Sequence, residues 1–198
     1  MRTSATRLFP VKLLLAVAVT LWFGVASVAS AAILNYGAVL DGPSEFPPNA
    51  STGIGSAEVT IDDVAHTMRV RASFAELLGT TTVCHIHGPT AVAGTGTAGV
   101  ATTTPTFPGF PAGVTSGTYD QTFDLTQLSS YNPSFVAGNG GSAAGAEAAL
   151  LAAIAAGTAY FIVHRSVFGG GEIRGFLLLY NPTPATHSTW GRIKQLYR

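Results

Sequence analysis

Three histidines hold the chemistry open to this chain. His85-Ile86-His87 lies in a run, Thr81 to His87, that reads as a β-strand. Alternation along a strand puts His85 and His87 on one face and Cys84 and Ile86 on the other. A second run, Ala159 to Ser166, places Tyr160, Ile162 and His164 on one face and Phe161 and Val163 on the other. If the apolar pairs face the core, all three imidazoles point outward on the sheet surface. Three neutral imidazoles converging there suit copper or zinc, with a coordination position left open for water or a small ligand. The competing reading makes them surface or hydrogen-bonding residues of a fold-defining motif, because a bare His-x-His is a common pattern. His66, in a turn, and His187, near the end, read as solvated.

Charged neighbours extend this picture. The stretch Phe168-Gly169-Gly170-Gly171-Glu172-Ile173-Arg174-Gly175 follows His164 and reads as a tight hairpin, its glycines reaching backbone conformations closed to other residues. Glu172 and Arg174 share a face, either as a surface ion pair or as support for His164, since ligating imidazoles donate their second nitrogen to an acceptor. Upstream, Asp41-Gly42-Pro43-Ser44-Glu45-Phe46-Pro47-Pro48 is a proline-stiffened turn in which Glu45 reads as a turn residue or an outer ligand. Asn49-Ala50-Ser51 matches a glycosylation sequon. No Gly-x-Ser-x-Gly elbow, phosphate-cradling loop or close pair of acids accompanies these groups.

The elements that must position the histidines are strands. Runs with two-residue alternation near 33–40, 55–61, 67–74, 81–87, 117–125, 159–166 and 172–180 are separated by Gly, Pro, Asn and Asp clusters. The clearest sets Met68, Val70, Ala72 and Phe74 against Arg69, Arg71 and Ser73. In the run 117–125, Tyr119, Gln121, Phe123 and Leu125 form the inward set. One helix is expected from about Ala143 to Ala156, capped by Ser142 and ended by Gly157, with Leu150, Leu151 and Ile154 turned to the sheet. Residues 94–117 read as a long surface connection with one short strand near Gly99 to Thr103. The fold class is all-β, an antiparallel Greek-key sandwich or flattened barrel with one short helix.

The first 31 residues read as a signal peptide: Arg2, Arg7 and Lys12, an apolar run from Leu13 to about Val28, then Ala29-Ser30-Ala31 as a cleavage site. A retained anchor is the rival reading, and would be the chain's sole membrane contact. Residues 32–180 then form one domain and 181–198 a tail, where Trp190, Ile193 and Tyr197 are interleaved with Arg192, Lys194 and Arg198. All ten acids lie beyond the leader and three of the ten basic residues lie within it, leaving the remainder at −3. That balance gives no nucleic-acid footprint. Cys84 is the sole cysteine, so no disulfide forms within the chain, and it reads as a small buried residue.

In order along the chain, Leu40-x-Gly42, Glu45-x-Pro47-Pro48, Gly55-x-Ala57, His85-Ile86-His87-Gly88-Pro89, Gly157-x-x-Tyr160, His164 and Gly170-Gly171-Glu172-Ile173-Arg174-Gly175 resemble the CHRD domain, first described in chordin and widespread in exported bacterial proteins. The resemblance spans about residues 33–179. Cys84 stands where that family carries a small residue such as alanine, and Arg165-Ser166-Val167-Phe168 replaces a Thr-rich run. The resemblance implies a secreted β-sandwich module with no established molecular activity. A weaker similarity to Cu/Zn superoxide dismutases would place three copper ligands on His85, His87 and His164. No histidine lies between His87 and His164, so the bridging and zinc ligands of those enzymes are missing, as are their disulfide and loop arginine. Two functions are therefore expected to compete. One is a binding or structural module for an unidentified protein, surface ligand or metal ion; the other is a small mononuclear copper-type metalloprotein or redox enzyme.

Overall fold

The computed structural model describes residues 33–166 and 170–180. The leader, the tail with His187, and Phe168 and Gly169 of the expected hairpin lie outside the described residues. The strands are β1 (Ile33–Asp41), β2 (Ile54–Asp62), β3 (Thr67–Ala75), β4 (Thr81–His87), β5 (Gly117–Asp124), β6 (Tyr160–Arg165), β7 (Ile173–Phe176) and β8 (Leu178–Leu179). They form one antiparallel sheet in the order β4-β6-β7-β1-β2-β3-β5, with β8 also pairing with β1. The sheet curls into a half-barrel, an all-β arrangement as the alternation implies.

Register explains which side is dry. Ala38 faces Ala57, Val59 faces Val70, and Ile61 faces Met68, so the inward residues of β1, β2 and β3 stack into one cluster. Arg69, Arg71 and Ser73 alternate outward, and Arg71 meets Glu58 directly across the ladder. On β5, Tyr119 and Phe123 are buried, whereas Gln121, at the inward parity, is exposed because β5 ends the sheet and has a neighbour on one side only.

Helix α1 (Pro133–Gly138) and helix α2 (Ala143–Ala155) lie between β5 and β6. In α2 the Ser142 hydroxyl accepts a hydrogen bond from Gly145 N–H at 3.1 Å. The helix ends before Gly157, whose φ of +66° suits glycine. Ala146, Leu150, Ala153 and Ile154 are its buried face; Leu151 is only partly buried against the core. Helix α1 was not expected from hydrophobic periodicity, being only six residues long. Its signal was Asn132-Pro133, a side-chain cap followed by proline at the first helical position.

The connection expected at 94–117 is exposed over much of its length, but it is also anchored in the core. Ala101 and Phe107 are fully buried, Phe110 nearly so, and Phe107 packs between Tyr119, Phe123 and Phe161. No strand forms at 99–103, where only isolated bridges occur, Val100 with His87 and Thr102 with Tyr131. Instead, the segment runs along the free edge of β4. Cys84 N–H donates to Thr106 Oγ1 at 2.9 Å and Ile86 N–H to Thr102 Oγ1 at 3.0 Å. Phe107 N–H and Ala101 N–H return bonds to the Cys84 and Ile86 carbonyls. The threonines thus satisfy backbone groups that an edge strand would otherwise leave open.

Candidate metal centre

Strands β4 and β6 build the site. His87 pairs with Tyr160, His85 with Ile162, and Ile162 with Arg174 on β7, so these side chains share one face with His164. The opposite face carries Cys84, Ile86, Phe161 and Val163, all at 0% exposure and in the core as the alternation requires. The histidine face is not a solvated surface, however. His85 and His87 are buried, and His164 is only partly exposed, because the 88–116 segment folds over them.

The three rings stand at the corners of a near-equilateral triangle. Centroid separations are 5.7 Å for His85–His87, 5.8 Å for His85–His164 and 5.7 Å for His87–His164. One ring nitrogen from each residue lies within 4.8 Å of the others. Metal–nitrogen bonds of about 2.0–2.1 Å in a trigonal plane place ring centroids about 5.5 Å apart, so small movements of the rings would accommodate an ion.

Backbone carbonyls fix two of the rings. His85 Nε2 lies 2.7 Å from the Pro105 carbonyl and His87 Nδ1 lies 2.9 Å from the Ala98 carbonyl. A carbonyl only accepts, so these nitrogens carry the protons and donate. His85 Nδ1 and His87 Nε2 are then bare lone pairs, buried and without a hydrogen-bond partner. Burial also lowers the pKa of both rings. The added effect of His87 acts on His85 and that of Arg174 on His87, in each case against the opposing carbonyl bond, so both are neutral at pH 7. Bare buried acceptors cost roughly 1–3 kcal/mol each, and a cation removes that cost. Carbonyl-oriented neutral imidazoles are the donor set that a transition ion requires.

Tyr160 and Arg174 back the triangle. The Tyr160 ring stacks on His87 at 5.1 Å and 21°, and its hydroxyl sits 3.4 Å from the Ala98 carbonyl that holds the same histidine. The Arg174 guanidinium lies 4.7 Å from the Tyr160 ring centroid and donates to the carbonyls of Ser44 at 2.5 Å and Gly96 at 2.9 Å.

Several sequence expectations need correction here. Glu172 and Arg174 do not form a surface pair with each other; both are buried and belong to separate sets. Glu172 lies 3.1 Å from Arg165 Nε, accepts from Leu78 N–H at 2.6 Å and Gly79 N–H at 3.3 Å, and also takes the Ser51 hydroxyl. It ties three loops to the sheet rather than supporting His164. Arg174 instead faces Glu45, 3.8 Å away, and Glu45 is itself buried, not an open turn residue. Burial pushes the Glu45 carboxyl up to about 7 against the opposing pull of Arg174, and its Oε1 has no hydrogen-bond partner. Pro47 and Pro48 are exposed.

Two further readings change. His66 is not simply solvated: its Nδ1 lies 2.8 Å from Glu147 on α2. The sequon asparagine is committed to the fold, Asn49 Nδ2 donating to the Glu172 carbonyl and Oδ1 accepting from Ser51 N–H. Sequence reasoning missed the carbonyls of Pro105 and Ala98, since a backbone group has no residue signature. The run Thr102-Thr103-Thr104-Pro105-Thr106 was the one available hint.

Residues 36–177 match the family model of the CHRD domain, and the chain belongs to that family. No curated protein and no solved structure is matched by the chain. CHRD domains are typically extracellular, and membership supports a binding or structural module. Among the described residues no helix is long and apolar enough to cross a membrane.

Proposed function

We propose that this chain is an exported CHRD-domain module that holds one transition ion, copper or zinc, on His85, His87 and His164, and acts by binding a protein or surface ligand rather than by turnover. The observation carrying this reading is the convergence of the three imidazoles, each offering a nitrogen within 4.8 Å of the others, together with buried, unpartnered nitrogens on His85 and His87. The Tyr160 stack and the carbonyl bonds hold the rings in place, and Arg174 lies behind Tyr160. Export rests on the leader, and a mature amino terminus at Ala32 on sequencing would support it.

Calorimetric titration of the metal-free domain with copper and with zinc tests the site. One ion per chain is expected, with uptake lost in His85→Ala and His164→Ala while the circular dichroism of the strands is retained. A heat no larger than that of the triple alanine variant would remove the metal reading. Turnover of a redox substrate tied to the bound ion would move the function to the copper-enzyme alternative.

A further inference from the structure

We infer that the triad is selective for cuprous copper over Cu(II) and Zn(II), and that Arg174 sets this selectivity by charge. This rests on the metal reading above and goes beyond it by naming the oxidation state and a residue that enforces it.

Charge is the first argument. All three donors are imidazoles, which supply no negative charge, and no carboxylate joins the cluster among the described residues. The nearest acid to enter the account, Glu45, is turned to Arg174. Desolvating an ion costs in proportion to the square of its charge, so a buried site with no anionic donor penalises a dication about four times as heavily as a monocation. Arg174 adds a positive charge beside the site, its guanidinium 4.7 Å from the Tyr160 ring, which itself stacks on His87 at 5.1 Å. Its guanidinium is held by two carbonyls and the Tyr160 ring and has little freedom to withdraw.

Coordination number is the second. The near-equilateral ring triangle offers three donors and no fourth among the described residues. Cu(II) favours a tetragonal set, and Zn(II) completes a tetrahedron with a fourth ligand, which here would have to be water or a small molecule. Cuprous copper has a filled d shell and is content with three nitrogens in a plane. Cys84, the one thiol, is on the opposite face in the core and does not compete for the ion. His164, the one partly exposed ring, marks the side from which an ion would enter.

The test is an anaerobic titration of the domain with Cu(I) against bathocuproine disulfonate, beside Zn(II) and Cu(II) titrations against chelators of known affinity. Cu(I) is expected to bind one per chain, at least about 100-fold more tightly than Zn(II). Arg174→Gln should narrow that gap about tenfold, and Arg174→Lys should restore it. Because removing a buried cation can unfold the domain, Glu45→Gln serves as a second variant: it leaves Arg174 without the counter-charge 3.8 Å away and should widen the gap. Triad-dependent binding of Zn(II) or Cu(II) as tight as that of Cu(I) would overturn the inference and leave the metal site standing. Failure of all three ions to bind would overturn both. Cu(I) selectivity that is unchanged in both a folded Arg174→Gln variant and Glu45→Gln would refute the role of Arg174.

Discussion

Burial holds the Glu45 carboxyl at about 7 although Arg174 pulls it down, and this gives the domain a pH response of definite sign. Below the ordinary carboxylate value near 4.5 both folded and unfolded chains hold the proton. Between 4.5 and about 7 the unfolded chain releases it first, so stability falls as pH rises through that window. The shift corresponds to roughly 2–4 kcal/mol. Urea midpoints measured across that range should flatten in Glu45→Gln relative to the parent. The His66 pKa is raised as well, but by pairing rather than by burial. The Glu147 hydrogen bond and charge raise its pKa, so the pairing is favoured below its ordinary value and fades as pH climbs through the raised one. An NMR titration of the His66 ring should show a midpoint above the usual imidazole value, returning toward it in Glu147→Gln.

Elements meet most closely where β7 crosses β1. A Cβ on Gly175 would fall 2.1 Å from the Val39 carbonyl oxygen and 3.0 Å from its carbon, which is backbone and has no rotamer to escape into. Gly175→Ala should therefore cost about 3 kcal/mol or more by forcing the strands apart. At Gly99 nothing lies within 4 Å, and Gly99→Ala should leave stability within about 0.5 kcal/mol. Thermal denaturation of the two variants side by side checks the contrast. The same close approach accounts for a glycine after Arg174 in this chain: the Arg174 backbone pairs with Asp41, and its guanidinium reaches the Ser44 carbonyl.

The whole molecule joins its core to its site through the 88–116 segment. Phe107 anchors that segment in the aromatic cluster, and Pro105 and Ala98, on either side of the threonine run, present the carbonyls that orient His85 and His87. Phe107→Ala should lose about 3–5 kcal/mol of stability. It should also weaken metal uptake although no ligand has changed, because the rings lose the acceptors that fix their tautomers. Urea unfolding followed by metal titration at low denaturant separates the two effects. A variant destabilised to the same degree on β2, whose strand neighbours are β1 and β3, such as Ile61→Ala, should bind metal normally.

Alternation by itself determined the strand set, the sidedness of β3, β4 and β6, the capped helix α2 and the grouping of His85, His87 and His164 on one face, because a two-residue period and a cap are local properties of the chain. The ordered motifs, Glu45 to Gly175, identified the CHRD family in the same way. Only the tertiary structure decided what covers that face. Whether a histidine lies in water or under a loop depends on where residues 88–116 fold, and that is set by Phe107 meeting Tyr119, Phe123 and Phe161 from distant parts of the sequence. The partners of Glu172 and Arg174 escaped local reasoning for the same cause. Glu172, just before β7, and Arg174, on it, are drawn to Arg165 and Glu45, which other parts of the chain bring beside them, and a buried charge must be matched by whatever the fold places there.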